Sequence, residues 1–357
     1  MNISVLYSRI TGYVAACLKA LSAYDESIQL QVFRWPASEN APFDLSSLGG
    51  VDAVHVKEDQ SARQLEDTVR AFSPDAVLMT GWIDDEYLGV ARSIQDEEVP
   101  VVAGCDTQWT GSLRQQIGRI IAPWYLHPAI DVLWVAGERQ RQLAERFGYT
   151  GSDCWTGYYA CDWSHFAPVR ERPSPEDPAF LFVGRYVEEK GVDVLVEAYR
   201  RYRQSVSEPW PLMTAGAGPF ETMLASTEGV ENRGFVQPEE LPKLMEQAGA
   251  FVLPSRFEPW GVVVQEAAAA GRPVLCSTAN GAGVHLVRDG YNGFQVESGN
   301  VEHLAETMRR MSALSEEQRR QMGDRGHHLS KQYTPERWAE TFVEGVKRYT
   351  RQVSTPQ

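Results

Sequence analysis

The sequence predicts an α/β protein made of two doubly wound, Rossmann-like domains in series. At 357 residues the chain exceeds one ordinary hydrophobic core. Short apolar runs alternate with helical patterns in both halves, and a proline-rich break divides the halves. In the first half strands are expected at residues 3–8, 28–34, 51–56, 75–80, 99–104 and 132–137. Several are continuously apolar, as suits parallel strands buried on both faces. Helical patterns at 13–23 and 61–72 supply the crossovers of βα units. Pro168, Pro173, Pro175 and Pro178, interleaved with charged residues, read as a linker. The βα rhythm then restarts, with strands at 179–184, 211–216, 230–235, 250–254, 273–277 and 293–297. Helices are expected at 191–203, 238–247, 261–270, 301–311 and 315–332, and a last one at 335–349 is lined by Trp338, Phe342 and Tyr349. The expected division is therefore an N-terminal domain over 1–165, a linker over 166–178 and a C-terminal domain over 179–334. Residues 335–357 are expected to return to the N-terminal domain. A cleft between two such domains is the default ligand site.

Composition narrows the function. Apolar residues make up 43% of the chain, and no run approaches the roughly 18 that a membrane span needs. Met1 to Ser8 reads as a first strand rather than a signal peptide. The five cysteines are scattered and lack zinc-like spacing, which points to reduced thiols in a cytoplasmic protein. A net charge of −14 argues against a nucleic-acid partner, which requires concentrated Lys and Arg. A small basic site for a diphosphate is still compatible with it.

The most informative stretch runs from Pro254 to Gly271. A strand feeds a Pro/Ser turn, Glu258 lies in the following loop, and a helix is expected to open near Gly261. Helix N-termini expose unpaired N–H groups and about half a positive charge, so they seat phosphates. Glu266 falls about one turn into that helix. Two carboxylates flanking an anion-binding helix end suggest recognition of a sugar carried on a nucleotide.

Arg185 and Lys190 follow another strand, where open α/β sheets bind ligands. They could neutralise a diphosphate, or pair with Glu188 and Glu189 as a solvated loop. The turn Thr214 to Pro219 contains Gly216 and Gly218 but lacks the third glycine of a dinucleotide fingerprint. Asp106 follows the strand at 99–104, and either faces the cleft or forms a turn. Asp84, Asp85 and Glu86 are expected to cap a helix. His285 is read as structural, and His327 and His328 as lying on an exposed helix. Neither these nor Cys154 and Cys161 suggest a metal site. The segment 112–134 carries Arg114, Arg119, Ile117, Ile120, Ile121, Trp124 and Tyr125. It could touch a membrane or a lipid-linked acceptor, but with Pro123 breaking it a buried interdomain segment is expected.

Taken together, the second half resembles the retaining glycosyltransferases of family 4, which have the two-domain GT-B fold. The resemblance rests on Val183-Gly184-Arg185 through Glu189-Lys190-Gly191, the Gly216–Pro219 turn, and Gly234-Phe235-Val236 followed by Glu239-Glu240-Leu241. The Glu258/Glu266 pair and Asp289-Gly290-Tyr291-Asn292-Gly293-Phe294 complete it. It is strong over roughly 179–300. Before the linker it is weaker, resting on strand order and on Tyr158 to Phe166.

The resemblance implies transfer of a hexose-type sugar from a nucleoside-diphosphate sugar to a hydroxyl acceptor, with retention and without metal or cofactor. Arg185 and Lys190 would grip the diphosphate, and Glu258 would contact sugar hydroxyls. The backbone of Trp260, Gly261, Val262 and Val263 would lie near sugar and phosphate. Glu266 would bind the ribose, while Phe235, Val236 and Leu241 would flank the base. Asp106 would approach the transferred sugar. Two departures stand out. The first βα loop has Gly12 where the family often has two glycines, and His285 replaces a glutamate common in its loop. A glycan, glycolipid or small molecule could be the acceptor. The competing readings are a nucleotide-sugar epimerase or phosphorylase on a similar scaffold, and a silent sugar-nucleotide-binding protein.

Overall fold

The computed structural model describes residues 1–36, 51, 53–57 and 61–353. Asp52, within the expected strand at 51–56, and the end of 335–357 beyond residue 353 lie outside the described residues. The chain divides into two compact units, Met1–Ala160 with Pro335–Gln357, and Cys161–Thr334.

The first unit holds a seven-stranded parallel sheet. Its strands are β1 (Asn2–Tyr7), β2 (Gln29–Arg34), β3 (Ala53–Val56), β4 (Ala76–Met79), β5 (Val101–Cys105), β6 (Val132–Val135) and β7 (Cys154–Thr156), in the order β3-β2-β1-β4-β5-β6-β7. Val5 pairs with Val32 on one side and Leu78 on the other. Its crossover helices are α1 (Gly12–Tyr24), α2 (Ala62–Ala71), α3 (Asp85–Ser93), α4 (Leu113–Tyr125) and α5 (Glu138–Arg146). Alternation along β4 divides the core. Val77 and Met79 pack with Leu65 of α2 and Leu88 of α3, whereas Ala76 and Leu78 pack with Leu18 and Leu21 of α1. Local chemistry starts the helices: Ser61 and Gln64 form a capping box on α2, and Asp84 accepts from the N–H groups of Glu86 and Tyr87.

The second unit holds six parallel strands, β8 (Ala179–Val183), β9 (Leu212–Ala215), β10 (Val230–Asn232), β11 (Ala248–Leu253), β12 (Val274–Ser277) and β13 (Gly293–Val296), in the order β10-β9-β8-β11-β12-β13. Its helices are α6 (Trp163–Phe166), α7 (Val192–Ser205), α8 (Glu221–Ala225), α9 (Leu241–Gln247), α10 (Val262–Ala269), α11 (Gly283–Leu286), α12 (Val301–Ser312) and α13 (Glu316–Ser330). Phe180, Phe182, Tyr199, Tyr202 and Phe251 are fully buried around the central strands.

The chain then returns to the first unit as α14 (Pro335–Val353), which packs along α1. Trp338 stacks on Trp134 with ring centroids 4.8 Å apart. Its indole N–H donates to the Tyr158 carbonyl at 2.7 Å, so burial leaves no polar group unmatched at this contact.

Several sequence expectations are corrected. The stretch 166–178 is not simply an extended linker, because residues 167–171 form a helical turn that buries Val169 and groups with the second unit. The strand expected at 230–235 stops at Asn232. There the Asn232 side chain accepts from the Gly234 N–H, and Gly234 turns the chain at φ +66°. His327 is half-buried rather than exposed, bonded to the Ala269 carbonyl at 2.7 Å. Strand β7 and helix α5 escaped the sequence reading because β7 has only three residues and α5 carries only two apolar ones, Leu143 and Ala144.

The largest correction concerns 112–134. Leu113–Tyr125 is a continuous surface helix with Pro123 inside its last turn, and among its residues only Ala122 is buried. A proline so near the end removes few helical hydrogen bonds, while the Ser112 hydroxyl caps the start through the Gln115 N–H. Leu113, Ile117, Ile120 and Trp124 are 82%, 60%, 66% and 75% exposed.

Candidate functional site

In an open α/β sheet the ligand crevice lies at the carboxyl ends of the strands where the strand order reverses. In the second unit that point falls between β8 and β11, and Lys190 and Glu258 lie on the two loops that leave these strands. Three features join the loops. The Glu189 carbonyl accepts from the N–H groups of Arg256 and Phe257 at 2.8 and 3.2 Å. Arg256 makes a two-pronged ion pair with Asp193 at the start of α7. Gly191, at φ +68°, passes so close that a β-carbon there would stand 2.3 Å from the Pro254 carbonyl oxygen.

This architecture brings Lys190 onto Glu258. The Lys190 ammonium donates to Glu258 Oε2, and the Ser255 hydroxyl donates to the same oxygen at 3.3 Å. Both side chains are largely buried, at 17% and 7% exposure. Each was expected to hold the ligand separately, and the structure shows the two satisfying one another. Removing either partner would leave a buried charge uncompensated.

Gly261 stands between Glu258 and α10 as the N-cap, at φ +94°. A β-carbon there would lie 2.9 Å from Asn280 Nδ2 and 3.1 Å from Glu258 Cγ. The bare glycine keeps the path to the first N–H groups of Val262 and Val263 open, and helix geometry leaves those groups without intrahelical acceptors. The Trp260 side chain itself is buried at 2% exposure against His285 and Tyr333. Its backbone is held by the Ala282 N–H at 2.8 Å.

Glu266, one turn into α10, is half-buried. Among the described residues it has no ion pair; burial, and secondarily the charge of Asp162, pushes its carboxyl up to about 7.

On the neighbouring strand Gly216 meets the β8 loop at a distance only glycine tolerates, since a β-carbon would stand 1.9 Å from the Gly184 carbonyl. The Gly216 N–H donates to the Gly234 carbonyl at 2.7 Å, which places Phe235 next to the same turn. Phe235 is 43% exposed, Val236 is half-buried and Leu241 is buried at 7% in α9. Arg185 is 72% exposed and only loosely paired with Glu189 at 3.8 Å.

Asp106 and Gly12 belong to the first unit. Asp106 follows β5 and accepts from the Tyr159 hydroxyl at 3.1 Å, and Gly12 opens α1.

One residue was missed. Asn280 is buried at 1% exposure and forms a bridge with Glu258. Its Oδ1 accepts from the Gly283 N–H at 2.8 Å, whereas its Nδ2 has no partner among the described residues. A buried amide donor left open beside Glu258 and Gly261 is suited to an incoming oxygen. Spacing could not reveal it, because Asn280 arrives from the next strand's loop.

Residues 167–328 match the family model for glycosyl transferases group 1. The fold is GT-B, with one parallel-sheet domain of seven strands and one of six. A glycogen synthase of Mycobacterium tuberculosis is 29% identical over 262 residues, covering 68% of this chain. The match spans 61% of that relative's length. Among solved structures, a glycosyltransferase from Rickettsia africae superposes with a TM-score of 0.78 at 13% identity, covering 98% of each chain. Anabaena HepE, solved in complex with UDP and glucose, superposes with a TM-score of 0.73 at 17% identity, covering 98% of this chain and 100% of its own.

Proposed function

We propose that the protein is a retaining, metal-independent glycosyltransferase of family 4, moving a hexose-type sugar from a nucleoside-diphosphate sugar to a hydroxyl acceptor. The observation that carries this reading is the Lys190–Glu258 pair at the strand-order reversal, set against the N-terminus of α10. The resemblance of its motifs to family 4 and the UDP and glucose bound by HepE support the same donor class. Lys190 and Arg185 neutralise the diphosphate, and the first N–H groups of α10, at Val262 and Val263, add directed dipoles. Glu258 accepts from sugar hydroxyls and Glu266 from the ribose. Phe235, Val236 and Leu241 lie against the base, with Gly216 allowing close approach. Asp106 and Gly12 are the contribution of the first unit to the sugar and the diphosphate.

In the reaction the bond between the anomeric carbon and the phosphate oxygen breaks, and its electron pair leaves with the nucleoside diphosphate. The acceptor oxygen bonds to that carbon from the same face and its proton passes to the leaving phosphate. Charge gathers on the diphosphate as this happens, and preorganised cations and helix dipoles stabilise it most at that moment. These groups supply the positive charge that a metal ion would otherwise bring, so a chelator should leave the rate unchanged.

The experiment is to separate products from nucleotide sugars with an acceptor panel, for the wild type and for Arg185→Ala, Lys190→Ala and Glu258→Ala. We expect losses of about 10²–10³ in kcat for Lys190→Ala and Glu258→Ala, on the scale of a lost oxyanion donor. Unchanged transfer rates would sink the assigned roles. A product that forms only with added inorganic phosphate would point to a phosphorylase instead.

The proposal extends to location and acceptor. Among the described residues no helix is long and apolar enough to cross a membrane. The exposed stripe of α4, Leu113, Ile117, Ile120, Ile121 and Trp124, recurs at helical spacing beside Arg114 and Arg119. That helix contains no acidic residue although the chain carries a net −14. Such a face fits the surface of an anionic bilayer. A cytoplasmic enzyme in peripheral contact with the membrane, acting on a lipid-linked acceptor, follows from this reading.

A further inference from the structure

Among the described residues, a hollow in the second unit is lined by Arg170, Arg172, Arg272, Arg319 and Arg320, with Asp324 as the one acidic lining residue. It lies past the C-terminal end of α10, where Gly271 and Arg272 follow the helix. Lys190 and Glu258 act at the other end of α10, about 12 Å away at 1.5 Å per residue. We propose that this hollow binds a doubly charged oxyanion, either inorganic phosphate or the phosphate of a phosphomonoester.

Charge accounting carries the argument. Arg170 donates to Asp324 at 2.7 Å, and Arg172 lies 3.6 Å from Glu246. Arg320 has no ion pair among the described residues. Arg272, only 7% exposed, donates to the carbonyls of Ala270, Ala248 and Val169 at 3.2, 3.1 and 3.3 Å. Arg319 lies over the Trp210 ring at 4.9 Å and donates to the Leu314 carbonyl. Five guanidinium groups therefore face three carboxylates, Asp324, Glu246 and, acting on Arg319, Glu316, in a chain whose overall balance is −14. Carbonyls orient a guanidinium without neutralising it. Burial accordingly lowers Arg272 to about 10 and lowers Arg319 as well. A dianion is the ligand that relieves both, and arginine forks match its oxygens. The negative end of α10 opposes an anion, but by no more than a fraction of one charge.

The hollow is also built rather than incidental. Gly271 at φ +67° brings the backbone against Arg170, and a β-carbon on Gly323 would stand 1.9 Å from the Gly271 carbonyl oxygen. Gly249 sits where the register of β11 against β8 shifts, with Pro178 packed over it.

The test is equilibrium binding of inorganic phosphate and of glycerol phosphate to the full chain at low salt. Saturable binding is expected, weakened about tenfold or more in Arg172→Ala and Arg320→Ala, and retained in Arg185→Ala at the donor site. All three substituted side chains are exposed, so thermal unfolding should match the wild type. Tighter binding of one ligand assigns the source, a free ion or a phosphomonoester. Absence of saturable binding by both, or loss only in Arg185→Ala, overturns the proposal.

Discussion

Glu266 sits where burial works against its charge. Its carboxyl is raised to about 7, while an unfolded chain releases that proton near ~4.3. The folded protein therefore binds more protons between these values. Stability from this group is fully present below the lower value and is lost as pH rises through about 7. The unliganded protein should lose at most about 4 kcal/mol across that window, and less because the side chain is half-buried. Denaturant unfolding at a series of pH values should show this slope, and Glu266→Gln should flatten it. An unchanged slope would show that the carboxyl ionises normally. The same residue illustrates what spacing could convey. Glu258 and Glu266 were legible as a pair because both flank one helix end. That Lys190 neutralises Glu258 was not, since the contact joins loops 68 positions apart through Gly191 and Pro254.

At the scale of elements, α4 makes the sharpest demand. An amphipathic helix with an exposed apolar stripe and two arginines should bind phosphatidylglycerol vesicles more tightly than neutral phosphatidylcholine ones. Ile120→Ser/Trp124→Ser should reduce sedimentation with the anionic vesicles by about tenfold without lowering thermal stability, since both side chains are already in solvent. Equal binding by the double variant would remove the membrane reading. The sequence offered this stripe but could not decide its burial: apolar spacing is the same whether a helix faces a core or solvent, and Pro123 weighed against a continuous helix. Strands were more legible, because parallel strands covered on both faces are apolar throughout. Only those of three or four residues, such as β7 and β10, were missed or overrun.

The whole molecule is discontinuous, for the first unit is interrupted by residues 161–334 and completed by α14. Trp338 and Phe342 are 4% and 0% exposed against Trp134 and its neighbours. Each aromatic truncation in such a core costs about 3–5 kcal/mol. Ending the chain at Thr334 should therefore unfold or aggregate the first unit while the second keeps a cooperative transition, as differential scanning calorimetry would resolve. A truncated chain that retained both transitions would show that α14 contributes little. The two-domain plan was readable from the proline break and the restart of βα units. The return of the last helix rested on its aromatic face alone.

That return also fixes an order of events during synthesis. When residue 160 leaves the ribosome, the sheet of the first unit is complete in sequence, yet Trp134 and Tyr158 still lack their cover. The covering helix is made only after 174 further residues, the whole of the second unit, have been translated. At the ~5–20 residues per second of translation, that interval is about 10–35 s. For that time the nascent first unit carries an open apolar face, and the second unit can fold before its predecessor is finished.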